Sequence, residues 1–387
     1  MPRVRLPRPD RTVETFELSL PAAFPDRPSR PFDRVTYAAA HVVADPLAAH
    51  DPWLDVAIDW EATLAFRRYL WQLGFGVAEA MDTAQRGMGL DWPNALELIR
   101  RSVAEARSVP GAFLACGAGT DHLAPRRDLG PDEVMAAYEE QVGAVEAAGG
   151  RIILMASRAL AACARGPDDY ARVYGRILAQ VREPVIIHWL GEMFDPALAG
   201  YWGHADHARA MDVCLEIIAA HAEKVAGIKI SLLSKEKEIA MRRRLPQGVR
   251  MYTGDDFNYA ELIAGDGEGH SDALLGIFAA IAPAASAALD AHAAGDRARF
   301  FEILEPTVPF SRHVFQAPTR FYKTGVVFMA HLNGLQDHFT MLGGQESARS
   351  VLHLAELVRL ADAAGLLRDP ELAAERTRRV MAVHGIE

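Results

Sequence analysis

The sequence predicts an α/β protein: a (β/α)8 barrel of the TIM type with a C-terminal helical extension. Two patterns carry this reading. Eight short β-branched or apolar runs alternate with longer helical patterns over residues 35–295. Alternating βα units imply a parallel sheet with helices outside it. The first run continues A-A-A-H-V-V-A-D-P without a glycine, so the Gly-rich loop of an open doubly wound sheet is missing. A closed barrel takes about 250 residues, close to what 35–295 supplies.

In chain order, residues 1–34 are rich in Pro and Arg, and T-V-E-T-F-E-L-S-L alternates apolar and polar from Val13 to Leu20. This predicts a short exposed strand or hairpin arm. The strand runs follow at 35–44, 77–83, 112–117, 151–156, 184–190, 225–231, 249–254 and 272–278. Helix patterns between them cover about 60–73, 93–109, 131–148, 168–181, 205–223, 235–245 and 257–264. Five more helix patterns, 281–294, 297–305, 319–335, 345–365 and 370–383, read as an extension rather than further βα units. The expected division is an arm at 1–34, the barrel at 35–295 and a helical domain at 296–387.

Composition narrows the function. With 41 basic and 51 acidic residues the net charge is −10. That balance favours solubility and argues against a nucleic-acid or anionic-membrane partner, while leaving room for a local basic pocket. Cys116, Cys163 and Cys214 are far apart and show no metal-ligand spacing, as expected of reduced thiols. The basic N-terminus lacks an apolar core like that of a secretory signal, and no run approaches a membrane span of ~18 residues. The expected location is cytoplasmic.

Barrel active sites lie at the C-terminal ends of the strands. The run V-A-G-I-K-I-S at 225–231 places Lys229 in apolar surroundings. By alternation it shares a face with Val225 and Gly227, and glycine leaves room beneath it. On the preceding run Pro184, Ile186 and His188 share a face, so Lys229 and His188 would meet at one rim. A lysine in low dielectric loses its proton more easily and can attack a carbonyl to form a Schiff base. The reaction needs a proton shuttle, which His188 is placed to be. The residues alone equally allow a solvated lysine, or one paired with Asp255 or Asp256, and a structural histidine.

The lysine strand resembles that of the dihydrodipicolinate synthase / N-acetylneuraminate lyase superfamily. Further pieces follow in that family's order: I-D-W-E-A at 58–62, P-V-I-I-H at 184–188, Y-T-G-D-D at 252–256, L-L-G-I-F-A-A-I-A-P at 274–283, A-G-D-R-A-R-F at 294–300 and A-P-T-R-F-Y-K-T-G at 317–325. The resemblance covers roughly 35–365. It implies a barrel with a C-terminal helical domain, a Schiff-base lysine at Lys229, a homo-oligomer (dimer or tetramer) and no dissociable cofactor.

Two departures bear on the substrate. His188 stands where the family has a tyrosine. The family's Gly-Thr-Thr-Gly-Glu loop, which holds a 2-keto carboxylate, is replaced by Asp82-Thr83-Ala84-Gln85-Arg86. Thr83 remains, Arg86 offers a bidentate carboxylate site, and Asp82 suits a sugar hydroxyl. Tyr252 and Asp255 are expected to line the pocket. The chain is also longer than the family's usual member, with an insertion near 119–130, which marks a divergent branch.

The expected activity is a Schiff-base-forming lyase or aldolase acting on a small 2-keto acid or sugar-derived carbonyl compound. Two alternatives stay open. One is a metal-dependent barrel isomerase or aldolase using His188 with H-A-D-H at 204–207, where Asp206 otherwise reads as favouring a helix N-terminus. The other is a non-catalytic ligand-binding member.

Overall fold

The computed structural model describes residues 1–386. A two-stranded antiparallel hairpin comes first, β1 (Arg3–Pro7) with β2 (Val13–Glu17). Eight parallel strands then close into a barrel: β3 (Thr36–Ala39), β4 (Gly76–Glu79), β5 (Leu114–Ala118), β6 (Arg151–Leu154), β7 (Val185–Leu190), β8 (Val225–Ser231), β9 (Arg250–Thr253) and β10 (Asp272–Leu275). Strand β10 pairs with β3 through Ala273–Thr36 and Leu275–Ala38, so the sheet has no edge. This is the TIM-barrel architecture, with further helices following the last strand.

Period-2 alternation sorts the side chains into two cores. Tyr37, Ala78, Ile153, Ile186 and Leu274 fill the inside of the barrel. Their strand neighbours Ala38, Val77, Leu154, Ile187 and Leu275 face outward into the layer between strands and helices. Capping residues start the helices where the pattern does. Asp59 accepts the Ala62 N–H, Asp91 that of Asn94 and Asp206 that of Arg209, each satisfying a donor with no partner inside the helix.

Several strand runs are shorter than expected. Run 35–44 pairs only to Ala39, run 77–83 only to Glu79 and run 272–278 only to Leu275. Past the rim the chain turns through short 3₁₀ segments, Asp82–Ala84 and Ile277–Ala279. These turns place polar groups over the barrel mouth. Helices at Arg158–Cys163 and Val308–Val314 were not expected; each is under two turns long, too short for a periodic pattern.

The arm keeps β2 largely exposed, as expected, and docks through one face of β1. Val4 and Leu6 are buried where β1 packs against helices Val351–Ala363 and Pro370–Val383, and Leu18 is buried too. Arg359 donates to Glu14 at 2.8 Å and to the Pro7 carbonyl at 3.0 Å, and Ser19 N–H donates to Asp362 at 2.7 Å. Alternation in R-V-R-L-P puts Val4 and Leu6 on the docking face. No helix of the described residues is long and apolar enough to cross a membrane.

Candidate active site

Strands β7 and β8 run in register, with His188 directly opposite Lys229. Ile186, on the His188 face of β7, belongs to the inner core, so both side chains point into the barrel. The space that Gly227 leaves is filled. A Cβ there would lie 2.6 Å from the Tyr252 ring. Tyr252 stacks edge-on against Tyr37, ring centroids 6.0 Å apart. Tyr252 is therefore a plug beneath the lysine and not a wall of the pocket, which corrects the sequence expectation. Gly254 is constrained from the other side: a Cβ there would sit 2.8 Å from Lys229 Cε and 2.5 Å from the Ile230 carbonyl oxygen.

Lys229 is only 8% exposed. Among the described residues its Nζ makes no hydrogen bond. Burial pushes its ammonium down from the usual lysine value, and the charges of Asp256 and Asp82 partly restore it. Burial pushes the Asp256 carboxyl up to about 7, opposed by Lys229 and by the Ile277 N–H, which donates to it at 3.0 Å. Burial, reinforced by Lys229, holds His188 neutral. Its Nε2 lies 3.3 Å from Ser231 Oγ, two residues beyond the lysine. Burial thus acts on all three groups: it lowers the Lys229 ammonium, keeps the His188 imidazole neutral and raises the Asp256 carboxyl to about 7.

A cavity of about 300 Å³ opens at the C-terminal ends of β4–β7. His188, Asp82, Arg158, Tyr322 and Lys323 are among its wall residues. Lys229 is not a wall residue; its ladder partner His188 and its electrostatic neighbour Asp82 are. Tyr322 and Lys323 arrive from helix Tyr322–Leu332, far along the chain. The Tyr322 hydroxyl and Thr83 Oγ1 are 2.7 Å apart, and burial raises the phenol well above its usual range, so it remains a donor.

The other expected site residues fall differently. Thr83 is buried against Tyr322 rather than open to the cavity. Asp82 does reach the wall. Arg86 is fully occupied. Its Nε and Nη2 donate to Asp121, Nη1 to the Ala80 and Gly117 carbonyls (3.1 Å each) and Nη2 also to Gln141 at 2.8 Å. A guanidinium has five N–H donors, and all five are taken. Arg86 fastens the loops after β4 and β5 and has no donor left for a substrate carboxylate. Asp255 spends its carboxylate on the Phe257 and Asn258 N–H groups (2.9 and 3.1 Å) and the Asn258 side chain. Asp256, one residue on, is the aspartate whose charge acts on the lysine.

The H-A-D-H segment does not converge with His188. Asp206 caps its helix, and His207 contacts Glu192 and Lys237. Among the described residues no three His, Cys, Asp or Glu side chains come together as a metal-binding group.

The fold and this site define a TIM barrel with a buried lysine at the carboxyl rim, opposite a histidine. The chain belongs to the family described as protein of unknown function (DUF993), whose model matches residues 4–386. No curated protein sequence matches it. Solved structures of the dihydrodipicolinate synthase family share its fold. A prophage protein of that family from E. coli, in complex with pyruvate, superposes with a TM-score of 0.65 at 15% identity, covering 86% of this chain and 99% of the other. The Oceanobacillus iheyensis dihydrodipicolinate synthase gives 0.62 at 15% identity over 85% and 96%. The Aquifex aeolicus enzyme gives 0.60 at 12% over 91% and 98%. The resemblance read from the sequence thus holds for the fold.

Proposed function

We propose that this protein is a Schiff-base-forming lyase or aldolase that makes or breaks a C–C or C–O bond next to the carbonyl of a small 2-keto acid or sugar-derived compound. The observation that carries the reading is Lys229: a buried amine without a hydrogen-bond partner among the described residues, its ammonium destabilised by burial, on the barrel rim where such chemistry is placed. The pyruvate bound by one fold neighbour agrees with a carbonyl substrate.

In this reading the Lys229 amine attacks the carbonyl carbon. The oxygen leaves as water with one net proton taken up, giving a protonated imine. In C–C cleavage the imine accepts the electron pair of the adjacent C–C bond while the other fragment loses its hydroxyl proton to the base and leaves as a carbonyl compound; in C–O cleavage the imine accepts the pair of the adjacent C–H bond, whose proton goes to the base, and the enamine then expels the neighbouring oxygen as water. The enamine left after C–C cleavage is reprotonated at carbon, and hydrolysis of the imine frees Lys229. His188, neutral and opposite the amine, carries protons on and off the reacting carbon. Asp256 exchanges a proton with Lys229, and the Tyr322 hydroxyl, backed by Thr83, donates to the departing oxygen. Assembly as a dimer or tetramer rests on the family resemblance and is read by mass photometry.

The test is turnover of a panel of 2-keto acids and keto-sugars by the wild type, by the wild type dialysed against a chelator, and by Lys229→Met. Activity that survives chelation and is lost in Lys229→Met supports the proposal. Activity abolished by chelation, or retained in Lys229→Met, refutes it.

A further inference from the structure

The position expected to hold an anion, Arg86, is spent on the protein itself. A different set of cations faces the same cavity. Arg158, at the start of the short helix after β6, donates its Nε to Asp195. Among the described residues its two Nη groups donate to nothing, and the side chain is 30% exposed at the cavity wall. Lys323 gives one proton to the Arg320 carbonyl at 2.9 Å and one to Met88 Sδ at 3.5 Å. An ammonium has three, which leaves one for the cavity that Lys323 lines. Arg320 stands on the same wall, its guanidinium 5.0 Å from the Phe321 ring and engaged in no side-chain hydrogen bond among the described residues.

The local charge runs against that of the chain. The protein carries −10, yet the cavity wall has four basic side chains, Arg86, Arg158, Arg320 and Lys323, against three acidic ones, Asp82, Asp121 and Asp195. Asp121 is held by Arg86 and Asp195 by Arg158. Lys323 is buried, and a buried cationic donor is costly unless a ligand meets it.

We propose that Arg158, Lys323 and Arg320 form an anion subsite that receives a carboxylate or phosphate group of the substrate, in place of the loop Asp82–Arg86. This rests on the cavity being the substrate site of the proposed lyase. It makes the substrate a carbonyl compound carrying an oxyanion group, gripped on the Arg158 side while its carbonyl points toward His188 and Lys229. Two planar Nη donors and an ammonium suit a group with two or three oxygens.

The test is calorimetric titration with inorganic phosphate and, separately, glutarate, at low ionic strength. Wild type, Arg158→Gln, Arg320→Gln, Lys323→Met and Lys229→Met are compared. One probe should bind the wild type, and its identity decides between phosphate and carboxylate. Affinity should fall about tenfold or more in Lys323→Met and Arg158→Gln, the scale of one charge-assisted hydrogen bond. Arg320→Gln, a change at an exposed position, should weaken binding without risk to folding. Lys229→Met should bind the anion as the wild type does. Failure of both probes to bind, wild-type affinity in the three subsite variants, or loss of binding in Lys229→Met would overturn the proposal. Anion binding at the subsite without any imine on Lys229 would instead sink the lyase reading alone.

Discussion

Lys229 and Asp256 share one buried charge balance. Burial drives the amine toward its neutral form and the carboxyl up to about 7, and each draws the other back toward its ion. Asp256 titrates above an unfolded aspartate's ~3.9, so its contribution to stability is present at low pH and is lost as pH rises through about 7. Lys229 titrates below an unfolded lysine's ~10.4, so it costs stability at low pH and that cost fades as pH rises. In Lys229→Met the lysine's cost disappears and Asp256 loses the cation that holds it down. Thermal melts should show the variant at least as stable as the wild type at pH 6. Its melting temperature relative to the wild type should then fall steadily toward pH 8.5. A difference that does not change with pH would mean the two groups are not coupled.

His188→Gln should separate imine formation from turnover. The amide keeps polarity beside Ser231 but cannot move a proton near neutral pH. General acid–base groups contribute roughly 10²–10⁴-fold. Steady-state kinetics should show kcat down by about that factor, while reductive trapping on Lys229 persists. An unchanged kcat would remove His188 from the mechanism.

Arg86→Ala should act on the fold. It leaves Asp121 and Gln141 without their guanidinium and two buried carbonyls without donors, a loss of about 3–5 kcal/mol for a broken buried pair. Denaturant titration should show this loss. A variant that folds like the wild type but binds substrate poorly would return Arg86 to the binding role its place in the sequence suggested.

Gly254→Ala tests how closely the lysine is held. The added methyl would press on Lys229 Cε and on the fixed Ile230 carbonyl, and backbone cannot move aside as a flexible side chain can. The variant should trap carbonyl compounds far more slowly than the wild type, alongside reduced thermal stability. Wild-type trapping rates would show that the crowding is relieved at little cost.

Tyr322→Phe removes the partner of the buried Thr83 hydroxyl. The expected stability cost is about 1–3 kcal/mol, with a drop in kcat larger than any change in KM if the phenol donates to the leaving oxygen. Equal kinetics with lowered stability would leave the pair a purely structural one.

The barrel was legible in the sequence because its strands and helices have different periods. The same alternation put Lys229 and His188 on one inner face, as the ladder between β7 and β8 bears out. Alternation stops being informative where a strand ends. β9 stops at Thr253, so nothing in G-D-D told which aspartate's charge would act on the lysine. Arg86 looked like a substrate ligand because its acceptors, Asp121, Gln141 and two carbonyls, come from other segments. Tyr322 and Lys323 were hidden by distance: the C-terminal helix folds back over a barrel mouth built more than a hundred residues earlier. The segment that holds them, 317–325, carried a recognisable pattern, but its path to the cavity was not in the pattern. Arg158 was within reach, since it follows β6 at the end where barrel chemistry sits.

The most direct test of the central claim is borohydride trapping followed by peptide mass spectrometry. The protein would be incubated with 2-keto acids and keto-sugars bearing carboxylate or phosphate groups, then reduced and digested. The account predicts a mass increment on the peptide containing Lys229, matching one reduced imine and absent from Lys229→Met. An increment on Lys323 instead, or one that survives in Lys229→Met, would contradict it, as would no increment under conditions where the protein turns the same compound over.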